Sequence, residues 1–346
     1  MSINTDALIV GAGPCGLFQI FELGLLGLKA HIVDSLEHPG GQCAELYPDK
    51  PIYDIPAVPM CTGEGLVQAL MTQIEPFGAG FHLGEEVQEV AAQDGGFRVR
   101  TSKDAIFQAK TVFIAGGVGS FTPRKLRFPA AESLEERQLH YRVRNPGQFA
   151  GQRIVILGGG DSALDWAVAL APEAETLALV HRRDEFRGAE ATAEKLRTLA
   201  ASGNAEIILS SNATGLQLDG DKLTGVEITK LGEGTKRVLE TDQLLVFFGL
   251  SPKLGPIAEW GLEMGRKTIS VDTATFSTNI PGIFAIGDIA DYPGKKKLIL
   301  SGFHEAALAA FAAKAIIEPG KKVPLQYTTT SPIMQKRLGV EEETAD

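Results

Sequence analysis

Val155–Trp166 reads VILGGGDSALDW. An apolar run stops in three glycines and restarts as a helix-forming sequence, the pattern of a buried parallel strand turning into a helix. Ala7–Phe18, ALIVGAGPCGLF, has the same form. Each is a glycine-rich turn between a strand and a helix, the local form of a dinucleotide cradle. One chain therefore carries two cradles, and what each holds must be read from the residues around it.

The chain has 346 residues, enough for two ordinary domains. Its net charge of −10 disfavours nucleic acid as a partner, because phosphate contacts need clustered Lys and Arg. Cys15, Cys43 and Cys61 have no CxxC spacing and form no Cys/His cluster of metal-ligand type, so neither a metal site nor a disulfide framework is expected. A reducing cytoplasm is the simplest compartment for such a chain. No basic run or small-residue cleavage site accompanies the first apolar stretch, so no signal peptide is expected. Gly16–Leu28 is apolar but short and carries Gln19 and Glu22, which argues for a buried helix rather than a membrane span.

Outward from the first cradle, Asp6–Val10 reads as a strand, Pro14–Gly27 as a helix and Ala30–Asp34 as a second strand. Residues 36–61 are rich in Pro, Gly and aromatic residues and read as a long ordered loop beside a site. A helix is expected near Gly65–Phe77, and strands at Phe97–Val99, Phe107–Ala109 and Thr111–Gly117. Outward from the second cradle, Thr176–Arg183 reads as the next strand, Ala189–Ala200 as a helix and Gln243–Pro252 as a strand. Thr278–Asp288 then reads as a strand ending at an acid, and Gly302–Ile316 as a helix. The expected fold is α/β: two Rossmann-like domains, each a three-layer ββα unit, with the second inserted into the first. The expected boundaries are 1–118 plus 249–346 for the first domain and 119–248 for the second.

The two cradles differ in an informative way. The first is Gly11-Ala12-Gly13-Pro14-Cys15-Gly16, a GxGxxG turn in which Gly11, Gly13, Pro14 and Gly16 shape the approach of a pyrophosphate to a helix N-terminus. The second is a GxGxxA variant, with Gly158 and Gly160 in the corresponding places. Twenty-three residues after Gly11 stands Asp34; twenty-three after Gly158 stands His181, followed by Arg182 and Arg183. A carboxylate at the end of the second strand accepts hydrogen bonds from a free ribose diol and repels a 2′-phosphate. Arginines there hold a 2′-phosphate by charge-assisted bonds. Arg187 follows four residues after Arg183. The first cradle thus fits FAD and the second NADP(H). Two bound dinucleotides imply hydride transfer between cofactors, which needs no protein catalytic residue. Gly287-Asp288, after the apolar run ending at Ile286, offers a backbone N–H and a carboxylate to the flavin dinucleotide.

These motifs resemble the low-molecular-weight thioredoxin reductase superfamily, in which an NADPH domain carrying GGGxSA and HRRxxFR is inserted into an FAD domain. The redox dithiols of such enzymes are missing. The segment before the second cradle, LEERQLHYRVRNPGQFAGQ, has no cysteine, and the partner position of Cys43 is Pro48. Within the superfamily the chain resembles the thioredoxin-reductase-like ferredoxin/flavodoxin–NADP⁺ reductases. GGQCAELYPDKPIYDIP, GGGDSALDW, HRRDEFR and the YTTTS of the C-terminal extension (about 318–346) carry that resemblance.

The resemblance implies roles residue by residue. Asp34 would bind the adenosine ribose. Gln42 and Tyr47 would contact the flavin, with Tyr47 on one ring face and Tyr327 on the other. Val87 would contact adenine through its backbone, and Phe121 and Asp288 would line the FAD site. Thr329 would approach the flavin of the partner subunit in a homodimer. Ser162, Arg182, Arg183 and Arg187 would bind NADP(H). Cys15 is expected to be a small buried residue, and His140, His181 and His304 to be structural. The implied activity is electron transfer between NADP(H) and ferredoxin or flavodoxin. An NADPH oxidase, diaphorase or iron reductase, and a flavoprotein that only senses NADP(H), are the alternatives. Lys295–Lys297, Lys321–Lys322 and Arg124–Lys125 are candidate docking cations for an acidic partner.

Overall fold

The structure is a computed structural model that describes residues 2–143 and 145–340; side chains at 120–123 and 250–253 lie outside the description. The chain forms two compact units, Met1–Ser120 with Pro252–Asp346, and Phe121–Ser251. In chain order the first unit begins with β1 (Ser2–Val10), α1 (Pro14–Leu25), β2 (Ala30–Asp34), α2 (Gly41–Glu45), α3 (Gly63–Ile74), β3 (Gly80–Leu83), β4 (Val87–Gln93), β5 (Gly96–Thr101) and β6 (Ile106–Ile114). The second unit follows with β7 (Leu139–His140), β8 (Arg153–Gly158), α4 (Asp161–Leu170), β9 (Thr176–Val180), α5 (Glu190–Ala201), β10 (Glu206–Ile208), β11 (Ser211–Asp219), β12 (Lys222–Lys230), β13 (Lys236–Glu240) and β14 (Gln243–Phe247). The chain then returns to the first unit with β15 (Ile283–Ala285), α6 (Ile299–Ile317) and α7 (Pro332–Arg337).

In the first unit the sheet order is β3-β2-β1-β6-β5-β4, parallel through β6 and then antiparallel. Alternation along β1 sends Ala7 and Ile9 to the face covered by α1, α3 and α6, and Leu8 to the opposite face with Val99, Phe107 and Trp260. Burial on both faces explains why β1 reads as a continuous apolar run. β6 corrects the sequence expectation: it is one strand where two are expected. Its first half, Ile106–Ala109, pairs with β5, and its second half, Val112–Ile114, pairs on that edge with β15. The exposed Lys110 between the halves interrupts the apolar pattern without interrupting the strand.

Other boundaries shift for local reasons. Of the strand expected at Thr278–Asp288 only Ile283–Ala285 pairs, as β15, because residues 279–282 turn before it and Gly287–Ile289 forms a 3₁₀ turn after it. Residues 36–61 hold the short helix α2 within the expected loop. α6 is long and apolar enough to cross a membrane by length and composition, yet it packs on α1 with Ala306, Ala309, Ala310 and Ala313 fully buried in the core.

The second unit repeats the plan. Its parallel sheet runs β7-β14-β8-β9-β10. Ile154 and Ile156 face α4 and α5, while Val155 and Leu157 face the antiparallel meander β11-β12-β13. Each unit thus places a helix N-terminus at the carboxyl end of a central parallel strand, β1 in the first and β8 in the second, where open α/β sheets bind ligands.

Candidate functional site

The first cradle lies between β1 and α1. Gly11 adopts φ +110°, and a Cβ there would stand 2.5 Å from the Ala115 carbonyl oxygen. A Cβ at Gly16 would stand 1.9 Å from the Gly11 carbonyl oxygen. These two glycines are required by backbone packed on backbone. Gly13 is different: the nearest atom to a Cβ there is Gly41 Cα at 3.9 Å, so space is open above the start of α1. Pro14 occupies the first turn, where its missing N–H costs nothing.

Asp34, at the end of β2, accepts the Ala12 N–H at 2.6 Å with Oδ2 and the Leu36 N–H at 2.8 Å with Oδ1. Burial raises its pKa against the lowering effect of those two bonds. It therefore shapes the turn as well as facing it, a role that spacing alone does not show. The Gly40 N–H donates to the Ala12 carbonyl at 2.8 Å and draws the start of α2 onto the cradle. From α2, Gln42 Nε2 donates to Asp288 Oδ2 at 3.0 Å. The Cys43 thiol lies 3.6 Å from the Tyr47 hydroxyl. Burial raises the pKa of that hydroxyl, so Tyr47 stays neutral, and its ring packs against the core between the sheet and α1, α3 and α6.

Gly11, Gly13, Pro14, Gly16, Asp34, Gln42 and Asp288 thus form one connected cluster, with Tyr47 joined through Cys43. Val87 buries its side chain and sits at an irregularity in the β4–β5 pairing, which leaves its backbone as the part it can offer. The side chain of Phe121 lies outside the described residues. The extension behaves differently. Tyr327 is 64% exposed and Thr329 is exposed, while α7 is held by buried Met334 and by Arg337, which donates to the Leu25 carbonyl at the end of α1. Within one chain neither Tyr327 nor Thr329 is buried against the cradle.

The second cradle lies between β8 and α4. A Cβ at Gly158 would meet the Phe247 carbonyl oxygen at 2.7 Å, whereas nothing lies within 4 Å of one at Gly160. The second glycine of each motif again leaves open space at a helix N-terminus, as a bound pyrophosphate requires. The segment after β9 is stapled across this turn. The Arg187 N–H donates to the Gly159 carbonyl at 2.7 Å, and the Ala189 N–H donates to Asp161 Oδ1 at 2.8 Å. Arg182, Arg183 and Arg187 are exposed, and no ion pair engages them among the described residues. Ser162 is exposed in the first turn of α4.

Other residues named from the sequence support the cradles from beneath. His181 is buried beneath the second cradle; a Cβ at Gly159 would stand 2.3 Å from its Nδ1, so the histidine makes that glycine obligatory. Burial, with the three arginines adding to it, lowers the His181 pKa and keeps the ring neutral. His140 Nε2–H donates to Gln243 Oε1 at 2.9 Å, a structural pairing. Cys15 has its thiol pushed up to about 12 by burial, and a Cβ at Gly302 or Gly287 would press on its Sγ. The docking candidates need correction. Lys295 is not a free surface cation, because its side chain is 6% exposed and paired with Glu305. Lys125 pairs with Glu135 at 2.7 Å and Lys321 with Glu318 at 3.6 Å, while Lys296 and Lys297 remain exposed.

Residues 5–313 match the family described as pyridine nucleotide-disulphide oxidoreductase. The ferredoxin–NADP reductase of a Polaromonas species is 59% identical over 349 residues, covering 99% of this chain and 95% of its own. That of Albidiferax ferrireducens is 60% identical, covering 99% of this chain and 98% of its own. The ferredoxin–NADP reductase 2 of Cupriavidus metallidurans is 57% identical, covering 99% and 94%. Among solved structures, the thioredoxin reductase of T. acidophilum aligns with a TM-score of 0.70 at 24% identity, covering 90% of this chain and 98% of its own. That of Lactococcus lactis aligns at 0.69 and 24%, covering 90% and 99%. At those identities the structures speak for the fold, and they carry the two-domain α/β plan described above. The chain belongs to the pyridine nucleotide-disulphide oxidoreductases and, within them, to the family of the ferredoxin–NADP reductases that it matches over nearly its whole length.

Proposed function

We propose that the chain is an FAD-dependent reductase that moves electrons between NADP(H) and ferredoxin. The observation that carries this reading is the contrast between the two cradles: a half-buried carboxylate closes the first, and three exposed arginines on a segment stapled over the turn flank the second. Asp34 suits an unphosphorylated ribose, and Arg182, Arg183 and Arg187 suit a 2′-phosphate. The names of the relatives support the same pair of substrates. FAD, when bound, supplies hydride exchange with the nicotinamide and the conversion between two-electron and one-electron transfer.

The protein's own residues bind and orient. Gly11, Gly13, Pro14 and Gly16 admit the flavin dinucleotide pyrophosphate to the N-terminus of α1. Gln42 and Asp288, already bonded to each other, would present polar atoms beside it, and Tyr47 would pack on one ring face and exclude water. Gly158, Gly160 and Ser162 serve the pyrophosphate of NADP(H). The first unit is thus the FAD domain and the inserted unit the NADP(H) domain. Flavodoxin is a second electron partner on this reading, and the working form is a homodimer in which Tyr327 and Thr329 reach the partner subunit's flavin site. Their exposure in the single chain supports that assignment.

The test is anaerobic stopped-flow absorbance on the purified protein. The expected result is a yellow protein bleached faster by NADPH than by NADH, then reoxidised by ferredoxin faster than by oxygen. A colourless protein that takes up no FAD, or bleaching that favours NADH, overturns the reading.

A further inference from the structure

We propose that Glu305 is the positioning residue of the first cradle, and that its carboxylate sets where Asp288 and Gln42 stand. This rests on the reading of that cradle as the FAD site. Glu305 lies on α6 and is fully buried. Three donors converge on it. The Gly287 N–H reaches Oε2 at 2.6 Å, the Tyr292 hydroxyl reaches Oε1 at 2.7 Å, and the Lys295 ammonium also reaches Oε1. The Lys295 side chain is nearly buried, and its Nζ lies 5.4 Å from the centre of the Tyr292 ring.

A carboxylate taken wholly out of water needs such compensation, because an unpaired buried charge is far costlier than a paired one. The pairing alone could serve stability. What it is attached to argues for more. Gly287 stands at φ +76°, in the left-handed region, and its N–H is committed to Glu305. The next residue is Asp288, whose Oδ2 receives Gln42 Nε2. One line of bonds therefore runs from Glu305 through the Gly287 turn to Asp288 and on to α2. Packing fixes the other side of the turn. A Cβ at Gly302, one turn earlier on α6, would stand 2.1 Å from Cys15 Sγ and 3.4 Å from Gly287 Cα, so α6, α1 and the turn meet there without slack. The Lys295 charge pairs with Glu305 inside the protein, so Glu305 adds no unpaired charge beside the Asp288 carboxylate at the cradle.

The bond that matters is the one accepted from Gly287, and two double variants, both made in a Tyr292→Phe background that removes the competing hydroxyl, isolate it. Glu305→Gln/Lys295→Met and Glu305→Leu/Lys295→Met both remove the ion pair together, so neither strands a charge. The first keeps a carbonyl acceptor for the Gly287 N–H; the second does not. FAD dissociation is followed by the rise in flavin fluorescence on dilution of the purified holoprotein, and apoprotein stability by thermal melting. The expected result is FAD release at least tenfold faster from the Leu variant than from the Gln variant, read well below the melting temperature of either apoprotein so that unfolding does not contribute. Glu305→Asp provides a check that keeps the charge: it shortens the side chain by one carbon, draws the acceptor away from the Gly287 N–H, and is expected to loosen FAD below the melting temperature of its apoprotein. Equal FAD retention in the Gln and Leu double variants overturns the proposal, as does wild-type retention in Glu305→Asp. A wild-type protein that holds no FAD overturns the underlying reading of the cradle instead.

Discussion

Replacing Arg182 and Arg183 together by alanine should shift the nucleotide preference without harming the fold. Both side chains are exposed and no ion pair engages them among the described residues, so neither contributes to packing and stability should change by less than about 1 kcal/mol. Two unit charges 4 Å apart attract by about 1 kcal/mol in bulk water and about 4 kcal/mol at an effective dielectric of 20. Exposed guanidinium groups on a nearly dianionic 2′-phosphate belong near the lower end, at about 1–2 kcal/mol each. The double variant should therefore lose about 2–4 kcal/mol of NADPH binding, roughly 30- to 1000-fold. NADH lacks the phosphate and should lose less than about threefold on the same argument. The assay is steady-state kcat/KM for both nucleotides with ferricyanide as acceptor, repeated across ionic strength. Wild-type activity with NADPH should fall as salt screens the contacts, and the variant's should be flatter. Equal losses for NADPH and NADH, or none for either, would refute the reasoning.

Further outcomes follow from other parts of the structure. Glu22 is pushed up to about 7 by burial alone, so the folded state keeps a proton that the unfolded chain loses from about pH 4.5. Stability should fall by about 2–3 kcal/mol as pH rises through that window, and Glu22→Gln should flatten the slope in denaturant titrations at pH 4.5 and 8. Gly16→Ala places a methyl 1.9 Å from a carbonyl oxygen and should cost about 3 kcal/mol and most of the bound FAD, read by chemical denaturation and flavin absorbance. Gly13→Ala meets only open space and should fold normally while weakening FAD, which separates the two glycines' roles. Arg337→Ala removes the bond to the Leu25 carbonyl and should raise hydrogen exchange across Pro332–Arg337, with the sheet unaffected.

Much of the fold and of both cradles is legible in the amino-acid sequence, because the decisive signals are local. An apolar run, a glycine turn and a helix start lie within a dozen residues, and the residue that ends the second strand stands at a fixed distance from the turn. Asp34 and the Arg182–Arg183 pair can therefore be found by counting. Signals spread over distant segments are not legible in this way. β6 reads as two strands because its outer edge changes partner from β5 to β15, which lies some 170 residues later in the chain. Lys295 reads as a surface cation because nothing in its neighbourhood shows that Glu305, on the following helix, turns inward beneath it.

By itself the sequence determined two cradles, the sign of the charge beside each, and the absence of either dithiol. These follow from residue type and spacing, which chain geometry converts directly into place. Only the tertiary structure decided that Asp34 bonds the turn it closes, that Asp161 and Gly159 hold the arginine segment, and that Glu305 anchors the Gly287 turn. The reason is physical: a buried polar side chain is assigned by the donors and acceptors that packing brings to it, and those arrive from elements far apart in the chain.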